Sequence, residues 1–145
     1  MIFLDASAAA KRYFPELGSD KVAGIFGASE HRYSLLILPC ELASVLNRRF
    51  REGDLSRTDY RDIKEQIRMD LKTIDAIPID ADLIGTSLQL LDSHPLKTLD
   101  SLYLAAALSL QQGGKEPVLF VSADRQLLRA AQAEGLKVLD PERKN

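Results

Sequence analysis

The sequence predicts a three-layer α/β sandwich built on a parallel sheet of about five strands. Short apolar runs that suit buried strands alternate with longer segments of helical period, as is typical of a parallel sheet covered by helices on both faces. The length of 145 residues and the hydrophobic fraction of 46% suit one domain with a sizeable core. We therefore expect a single domain over residues 1–140 and a polar, loose C-terminal tail over 141–145.

The composition argues against several classes of protein. The net charge is −2 and the pI about 5.7, which disfavours broad electrostatic capture of nucleic acid, although a local basic patch or a bound metal could still serve a polyanion. No apolar run approaches the roughly 18 residues of a membrane span. The single cysteine, Cys40, excludes an internal disulfide and fits a reducing compartment. Because the N-terminus also has no basic region of a signal peptide, we expect a cytoplasmic protein.

The first two strands are each predicted to lead into a helix. Ile2-Phe3-Leu4 is a continuous apolar run, and Ser7 is expected to cap a helix that reaches Phe14. After a further amphipathic helix, the β-rich run from Tyr33 to Leu38 predicts the second strand, and Cys40 to Arg51 the helix that follows it.

The middle of the chain begins with a helix start signal. Ser56-Arg57-Thr58-Asp59 has the spacing of a capping box, with Asp in place of the usual Glu or Gln, and opens a helix to about Ile74. Its apolar stripe is narrow, which favours a solvated helix lying on the core; a lid or a docking surface for a partner stays open. Ala76 to Ile79 predicts a short strand, and Pro78 suggests an edge position.

The C-terminal half continues the alternation. The sequence predicts a helix at Ala81 to Leu91 and a strongly apolar helix at Thr98 to Gln112. It then predicts a buried strand at Pro117 to Val121, a helix at Arg125 to Glu134 and a last strand at Leu136 to Leu139. The apolar helix is expected to turn Leu99, Leu102 and Tyr103 inward.

Four acids stand at corresponding junctions of the predicted fold. Asp5 ends the first strand, Glu41 and Asp124 each come three residues after a strand, and Asp100 lies in the first turn of its helix. Taken singly, Glu41, Asp100 and Asp124 suit the helix dipole, and Asp124 could simply be an N-cap. Asp5 is the exception, because it follows an apolar strand directly.

Together the four acids favour a metal site. Groups that follow the carboxyl ends of parallel strands face one crevice. Two carboxylates about 4 Å apart repel by roughly 4 kcal/mol at an effective dielectric of 20, so four need protons or cations to compensate. Oxygen ligands without His or Cys select Mg²⁺ or Mn²⁺. Ser7 and Ser122 each lie two residues from an acid, where they could orient carboxylates or act only as turn and cap residues.

Four segments around these acids resemble the acidic motifs of PIN-domain ribonucleases. They are Met1 to Ala8 (MIFLDASA), Glu41 to Leu46 (ELASVL), Leu99 to Ala107 (LDSLYLAAA) and Val121 to Leu127 (VSADRQL). In size and layout the chain is most similar to the VapC toxins of toxin–antitoxin pairs, from Met1 to about Leu139. No single motif is specific, but four in the right order at the right junctions form a strong signal.

The resemblance implies a structure, a chemistry and partners. It implies a PIN-like parallel sheet of order 3-2-1-4-5, and Mg²⁺ (or Mn²⁺) bound by Asp5, Glu41, Asp100 and Asp124, with Ser122 as the supporting hydroxyl. It also implies an endoribonuclease that cuts RNA with a metal-activated water, a homodimer, and a cognate antitoxin on a separate chain. We further expect some of the basic residues near Asp5 and Glu41 to line a path for RNA; these are Lys11, Arg12, Arg48, Arg49 and Arg51.

Two other functions remain as alternatives. One is a catalytically inert PIN-like module that binds RNA or protein. The other is phosphotransfer through an aspartyl-phosphate on Asp5, which is disfavoured because Ser7 stands where that chemistry usually has a second Asp.

Overall fold

A parallel sheet of five strands forms the middle layer of the protein. The computed structural model describes residues 1–114 and 116–144. Within them the strands are β1 (Ile2–Leu4), β2 (Arg32–Leu35), β3 (Ile74–Ile77), β4 (Leu119–Val121) and β5 (Lys137–Leu139). Their order is β3-β2-β1-β4-β5, and every neighbouring pair is parallel. The predicted class, strand order and edge position of the third strand are confirmed.

Seven helices among the described residues cover this sheet. They are α1 (Ala6–Ala10), α2 (Ser19–Gly27), α3 (Leu38–Arg51), α4 (Arg57–Leu71), α5 (Ala81–Ser93), α6 (Thr98–Gly113) and α7 (Arg125–Ala133). None of the helices in the described part of the chain is long and apolar enough to span a membrane.

The two faces of the sheet bury separate apolar clusters. Successive side chains of a strand point to opposite faces, so Phe3 joins one cluster while Ile2 and Leu4 join the other. The Phe3 cluster is completed by α5, α6 and α7, and the opposite cluster by α1 to α4. This arrangement is the three-layer sandwich that the sequence predicts.

Several element boundaries differ from the prediction. Helix α1 ends at Ala10 and does not reach Phe14. The second strand ends at Leu35 and α3 begins at Leu38, so Pro39 lies inside the first turn of the helix instead of ending a strand. Proline is tolerated there because first-turn amides have no intrahelical partner. Helix α4 ends at Leu71, and Ile74 begins β3 instead of closing the helix.

The C-terminal tail is attached to the domain through Glu142. Its carboxylate accepts a hydrogen bond from Lys11 Nζ at 2.7 Å, and Lys11 is only 4% exposed. Pro141, just before it, is buried. Pro141 and Glu142 are therefore packed on the domain, whereas a loose tail beyond them stays a prediction and Asn145 lies outside the described residues.

The central position of Phe3 leads to a stability prediction. Phe3 is fully buried, stacks on Phe120 with ring centroids 5.8 Å apart and meets the Tyr103 ring edge-on at 6.4 Å. We expect Phe3→Ala to lower the free energy of unfolding by about 3–5 kcal/mol in urea titrations, because it leaves a cavity between two layers. Leu17→Ala, at a side chain that is 64% exposed, is the control and should change it by less than about 0.5 kcal/mol. Equal losses for the two variants would contradict the assignment of Phe3 to the core.

Candidate active site

Asp5 lies at the junction between β1 and α1 and caps the helix. Its side-chain Oδ1 accepts a hydrogen bond from the Ala8 amide at 2.8 Å, and its backbone is extended, as an N-cap requires. The sequence suggested Ser7 as the N-cap. Asp5 takes this role because it stands three residues before Ala8 and its side chain reaches the Ala8 amide. The side chain is only 3% exposed, so a carboxylate is buried at the end of a central strand.

Two serine hydroxyls also hold the Asp5 carboxylate. Ser7 Oγ lies 2.8 Å from each carboxylate oxygen, and Ser122 Oγ donates to Oδ2 at 2.6 Å. The same hydroxyls accept backbone amides beyond β4: Ser7 Oγ from Ala123 at 3.0 Å and Ser122 Oγ from Asp124 at 3.0 Å. The chain ends of β1 and β4 are thereby connected through Asp5.

Burial leaves the Asp5 carboxylate poorly stabilised despite these bonds. Desolvation raises its pKa from 3.8 to about 6, against the opposing effect of the hydrogen bonds from Ser122, Ala8 and Ser7. The negative charge of Asp100 adds a smaller increase. Asp5 is thus close enough to Asp100 for the two charges to repel.

Asp100 lies in the first turn of α6, and the negative charges of the other acids act on its carboxylate. Burial is the main reason that its pKa is raised, followed by the charge of Asp124, with Lys97 opposing and Glu41 adding to the increase. All four predicted acids are therefore electrically coupled through Asp100.

Glu41 has a partner that the sequence did not reveal. The carboxylate lies in the first turn of α3, and its Oε2 accepts a short hydrogen bond from the Tyr103 hydroxyl. Tyr103 is buried, and burial followed by the bond to Glu41 raises its pKa, so its proton stays on the phenol. A signal was present, because Tyr103 stands three residues after Asp100 on one helix face and a buried phenol needs an acceptor.

Asp124 performs the structural role that the sequence left open. As the N-cap of α7, its Oδ1 accepts hydrogen bonds from the Gln126 and Leu127 amides at 2.8 and 3.0 Å. Because its charge also raises the pKa of Asp100, the capping role and a role in the acidic site are compatible.

The donor chemistry of this site fits a hard divalent cation, whereas its spacing does not form a complete cage. The acids offer oxygen ligands only, and Asp5 and Asp100 both have raised pKa values, so a nearby cation would stabilise their ionised forms. Over residues 1–114 and 116–144, however, no three Asp, Glu, His or Cys side chains lie close enough to hold a metal as they stand. A metal site shared by all four acids remains a prediction.

A groove of about 560 Å³ runs beside Glu41. Leu99, at 40% exposure, and Cys40 line it together with Ile37 and Val45. The expectation that Leu99 points inward is wrong, because the first turn of α6 lies at the edge of the domain and turns this side chain toward the groove.

Of the basic residues expected along an RNA path, three are engaged elsewhere. Lys11 pairs with the tail, Arg12 Nε lies 3.3 Å from Asp70 Oδ2, and the Arg49 guanidinium lies 4.5 Å from the centre of the Phe14 ring. Arg48 lines the groove beside Glu41. It is the best placed of the five to meet a ligand at the acids.

The raised pKa of Asp5 predicts how stability depends on pH in metal-free protein. Well below pH 3.8 the carboxyl is protonated in folded and unfolded chains alike. Between its ordinary value of 3.8 and the folded value of about 6, only the folded chain keeps the proton, so the free energy of unfolding falls as pH rises. The total is on the order of 3 kcal/mol.

Asp5→Asn tests this dependence, since an amide does not titrate. In urea titrations with EDTA, the variant should gain stability relative to the wild type from pH 4 to pH 6.5. Asp82→Asn, on an exposed acid of α5, controls for the loss of a charge as such. If the difference in the free energy of unfolding between wild type and Asp5→Asn does not change with pH, the pKa of Asp5 is not raised.

Ser122→Ala tests the hydroxyl that favours ionised Asp5. Removing this donor should raise the pKa of Asp5 above about 6, which NMR of the carboxyl carbon measures. It should also lower the free energy of unfolding by about 1–3 kcal/mol. Ser34→Ala is the matched control, because Ser34 is equally buried and donates instead to the Leu4 carbonyl at 2.7 Å. It should lose comparable stability and leave Asp5 unchanged; a shift of similar size in both variants would exclude a specific role for Ser122.

Comparison with known proteins agrees with this architecture. The crystal structure of FitAcB from Neisseria gonorrhoeae superimposes with a TM-score of 0.72 at 18% identity, covering 97% of this chain and 98% of the other. A structure of FitAB bound to the IR36 DNA fragment gives 0.70 at 16% identity, covering 100% and 98%. No curated protein matches the sequence. The PIN domain model matches residues 2–133, which include all four acids, and the chain therefore belongs to the PIN domain family.

Proposed function

We propose that this protein is a divalent-metal-dependent endoribonuclease and the toxin of a toxin–antitoxin pair. PIN domains are generally nucleases that use divalent ions, so hydrolysis of phosphodiester bonds is the reaction class. The observation that carries the proposal is the coupling of Asp5, Glu41, Asp100 and Asp124 at one edge of the sheet. Clustered carboxylates, of which Asp5 and Asp100 have a raised pKa, are costly for stability and typical of a site that works with a cation.

Asp5 and Asp100 are the proposed principal metal ligands, with Glu41 and Asp124 acting directly or through water. Mg²⁺ is the proposed ion and Mn²⁺ a substitute, because all donors are carboxylate oxygens. The chemistry that a bound ion supplies is activation of water and stabilisation of the leaving 3′ oxygen, giving 5′-phosphate and 3′-hydroxyl ends.

The protein's own groups orient this site. Ser7 and Ser122 fix both oxygens of Asp5, and the Tyr103 proton holds Glu41 in place from α6. Asp5 is therefore positioned as a ligand. Ser7, whose hydroxyl lies 2.8 Å from both oxygens of Asp5, stands where the aspartyl-phosphate alternative usually has a second Asp, which argues against that alternative.

Two surfaces support the proposed protein partners. The groove with Leu99 and Ile37 beside Glu41 offers apolar area for an antitoxin segment that covers the acids. On α5, Ile84 and Leu88 stand four residues apart and are both exposed, which suits a homodimer contact. We place this activity in the cytoplasm, where RNA and a reduced Cys40 are expected.

Asp100→Asn is the central test of the nuclease proposal. With Mg²⁺ or Mn²⁺ and structured RNAs, the wild type should cleave and EDTA should stop it. The variant should lose at least about 100-fold in cleavage rate, since even an outer partner of a metal ligand costs about 10–100-fold. Asp82→Asn, which also removes a first-turn helix acid, should cleave like the wild type.

The alternative of an inert binding module has one observation in its favour, the lack of a ready three-carboxylate cage in the described residues. The same experiment separates the two functions. RNA binding without turnover would favour the inert module, and cleavage that survives EDTA or Asp100→Asn would overturn the metal-dependent mechanism.

A further inference from the structure

A second concave site, lined by positive charge, lies beyond the acids on the β5 side of the sheet. It has a volume of about 310 Å³. Its charged lining residues in the described part of the chain comprise five cations and one carboxylate, namely Lys21, Arg125, Arg129, Arg143, Lys144 and Asp140. In a protein whose net charge is −2, this is a strong local segregation of charge. We call it the basic pocket.

Three of the five positive charges of the basic pocket have no partner among the described residues. The side chains of Arg125, Arg129 and Lys144 form neither an ion pair nor a hydrogen bond with any residue in 1–114 or 116–144. The one carboxylate, Asp140, already accepts the Glu142 amide at 2.9 Å and lies 3.8 Å from Arg143 Nε. Like charges four residues apart on a helix, as Arg125 and Arg129 are, destabilise it, so an anion in the pocket would relieve a cost.

The pocket is built by ordered parts of the fold. Lys11, itself buried, holds Glu142, and the Lys21 ammonium donates to the Arg143 carbonyl. Gly18 has φ +89° and lies so close to the tail that an added Cβ would stand 2.8 Å from the Pro141 carbonyl carbon. The tail is thus seated as one wall of the pocket, opposite α7.

The pocket and the acids share one edge of the sheet. Arg125 directly follows Asp124, and the Ser122 amide donates to the Leu139 carbonyl at 3.2 Å, which joins the ends of β4 and β5. Nucleic acid whose cleaved phosphate lies at the acids would therefore have its neighbouring backbone beside the basic pocket. Arginine matches phosphate geometry with two parallel N–H donors, and a concave basic site concentrates phosphate charge.

We propose that the basic pocket of Arg125 and Arg129 binds a backbone phosphate of the RNA that flanks the cleaved bond. This inference rests on the proposed nuclease function and gives its substrate a second point of attachment. It also explains how an acidic protein holds a polyanion, since the attraction is local. The positive charge that offsets the repulsion between RNA and the acids begins at Arg125, the residue after Asp124.

The test measures RNA binding separately from cleavage. A fluorescein-labelled 12-nucleotide oligouridylate is titrated in Mg²⁺ against the Asp100→Asn protein, which does not consume it, at several KCl concentrations. The double change Arg125→Gln and Arg129→Gln should reduce the salt slope by about 0.7, because one phosphate is no longer neutralised. The Kd at 0.1 M KCl should then rise about fivefold.

Two further variants serve as controls. Lys137→Gln removes one positive charge from an exposed side chain of β5 that does not line the pocket, and should leave both affinity and slope as in the parent. Arg125→Lys with Arg129→Lys restores the charges and should recover most of the slope, because lysine binds phosphate as a point charge. Unchanged unfolding midpoints show that each variant is folded.

Three outcomes would overturn the inference. The Gln variants bind oligouridylate with the parent's affinity and slope, or the parent binds none, or hexaglutamate displaces the RNA as well as hexauridylate does. The last result would assign the pocket to an acidic protein segment. Failure of the nuclease proposal is a different result, namely wild-type protein that binds RNA through the pocket but never cuts it.

Discussion

The burial of one carboxylate, that of Asp5, is the constraint on which the rest of the site depends. A carboxylate at 3% exposure must be solvated by the protein, and here the donors are the first turn of α1 and the hydroxyls of Ser7 and Ser122. Because those hydroxyls also accept amides beyond β4, satisfying Asp5 fixes the relation of two strand ends. The hydrogen bonds of Ser7 and Ser122 therefore both join the centre of the sheet and set the geometry of the acidic edge.

Charge is distributed along this edge in alternating zones. The acids occupy the middle, Arg48 lies two helical turns beyond Glu41 on α3 and lines the same groove, and the basic pocket begins at Arg125 on α7. A net charge of −2 conceals this arrangement, because separate zones cancel in the sum. For a polyanionic ligand the local field matters more than the total, since interactions between charges weaken beyond a Debye length of about 10 Å at 0.1 M salt.

The sequence predicted what is encoded locally and by simple topology. Apolar runs such as Ile2-Phe3-Leu4 revealed the strands, and the acids were found because each follows a strand or opens a helix. The bond between Tyr103 and Glu41 joins residues 62 positions apart, and the attachment of Glu142 to Lys11 spans 131. A local pattern can mark a candidate such as Tyr103, but it does not identify the distant partner. Leu99 was misjudged because helical period identifies an apolar face but not where that face leaves the core.

Several departures from good stability practice lie together at the carboxyl edge of the sheet. Another lies elsewhere, because Arg32 Nε is buried without a hydrogen-bond partner among the described residues. Other polar side chains serve structure in ordinary ways, as Ser56 does in capping α4. At the carboxyl edge, by contrast, Asp5 is buried at a raised pKa and Asp100 is repelled by its neighbours, while Arg125 and Arg129 stand together without a counterion among the described residues. Each departure alone would be removed by a single neutral substitution. Their concentration along one edge, with opposite charges in adjoining zones, supports the two proposed ligands, because a cation would balance the acids and a phosphate would balance the arginines.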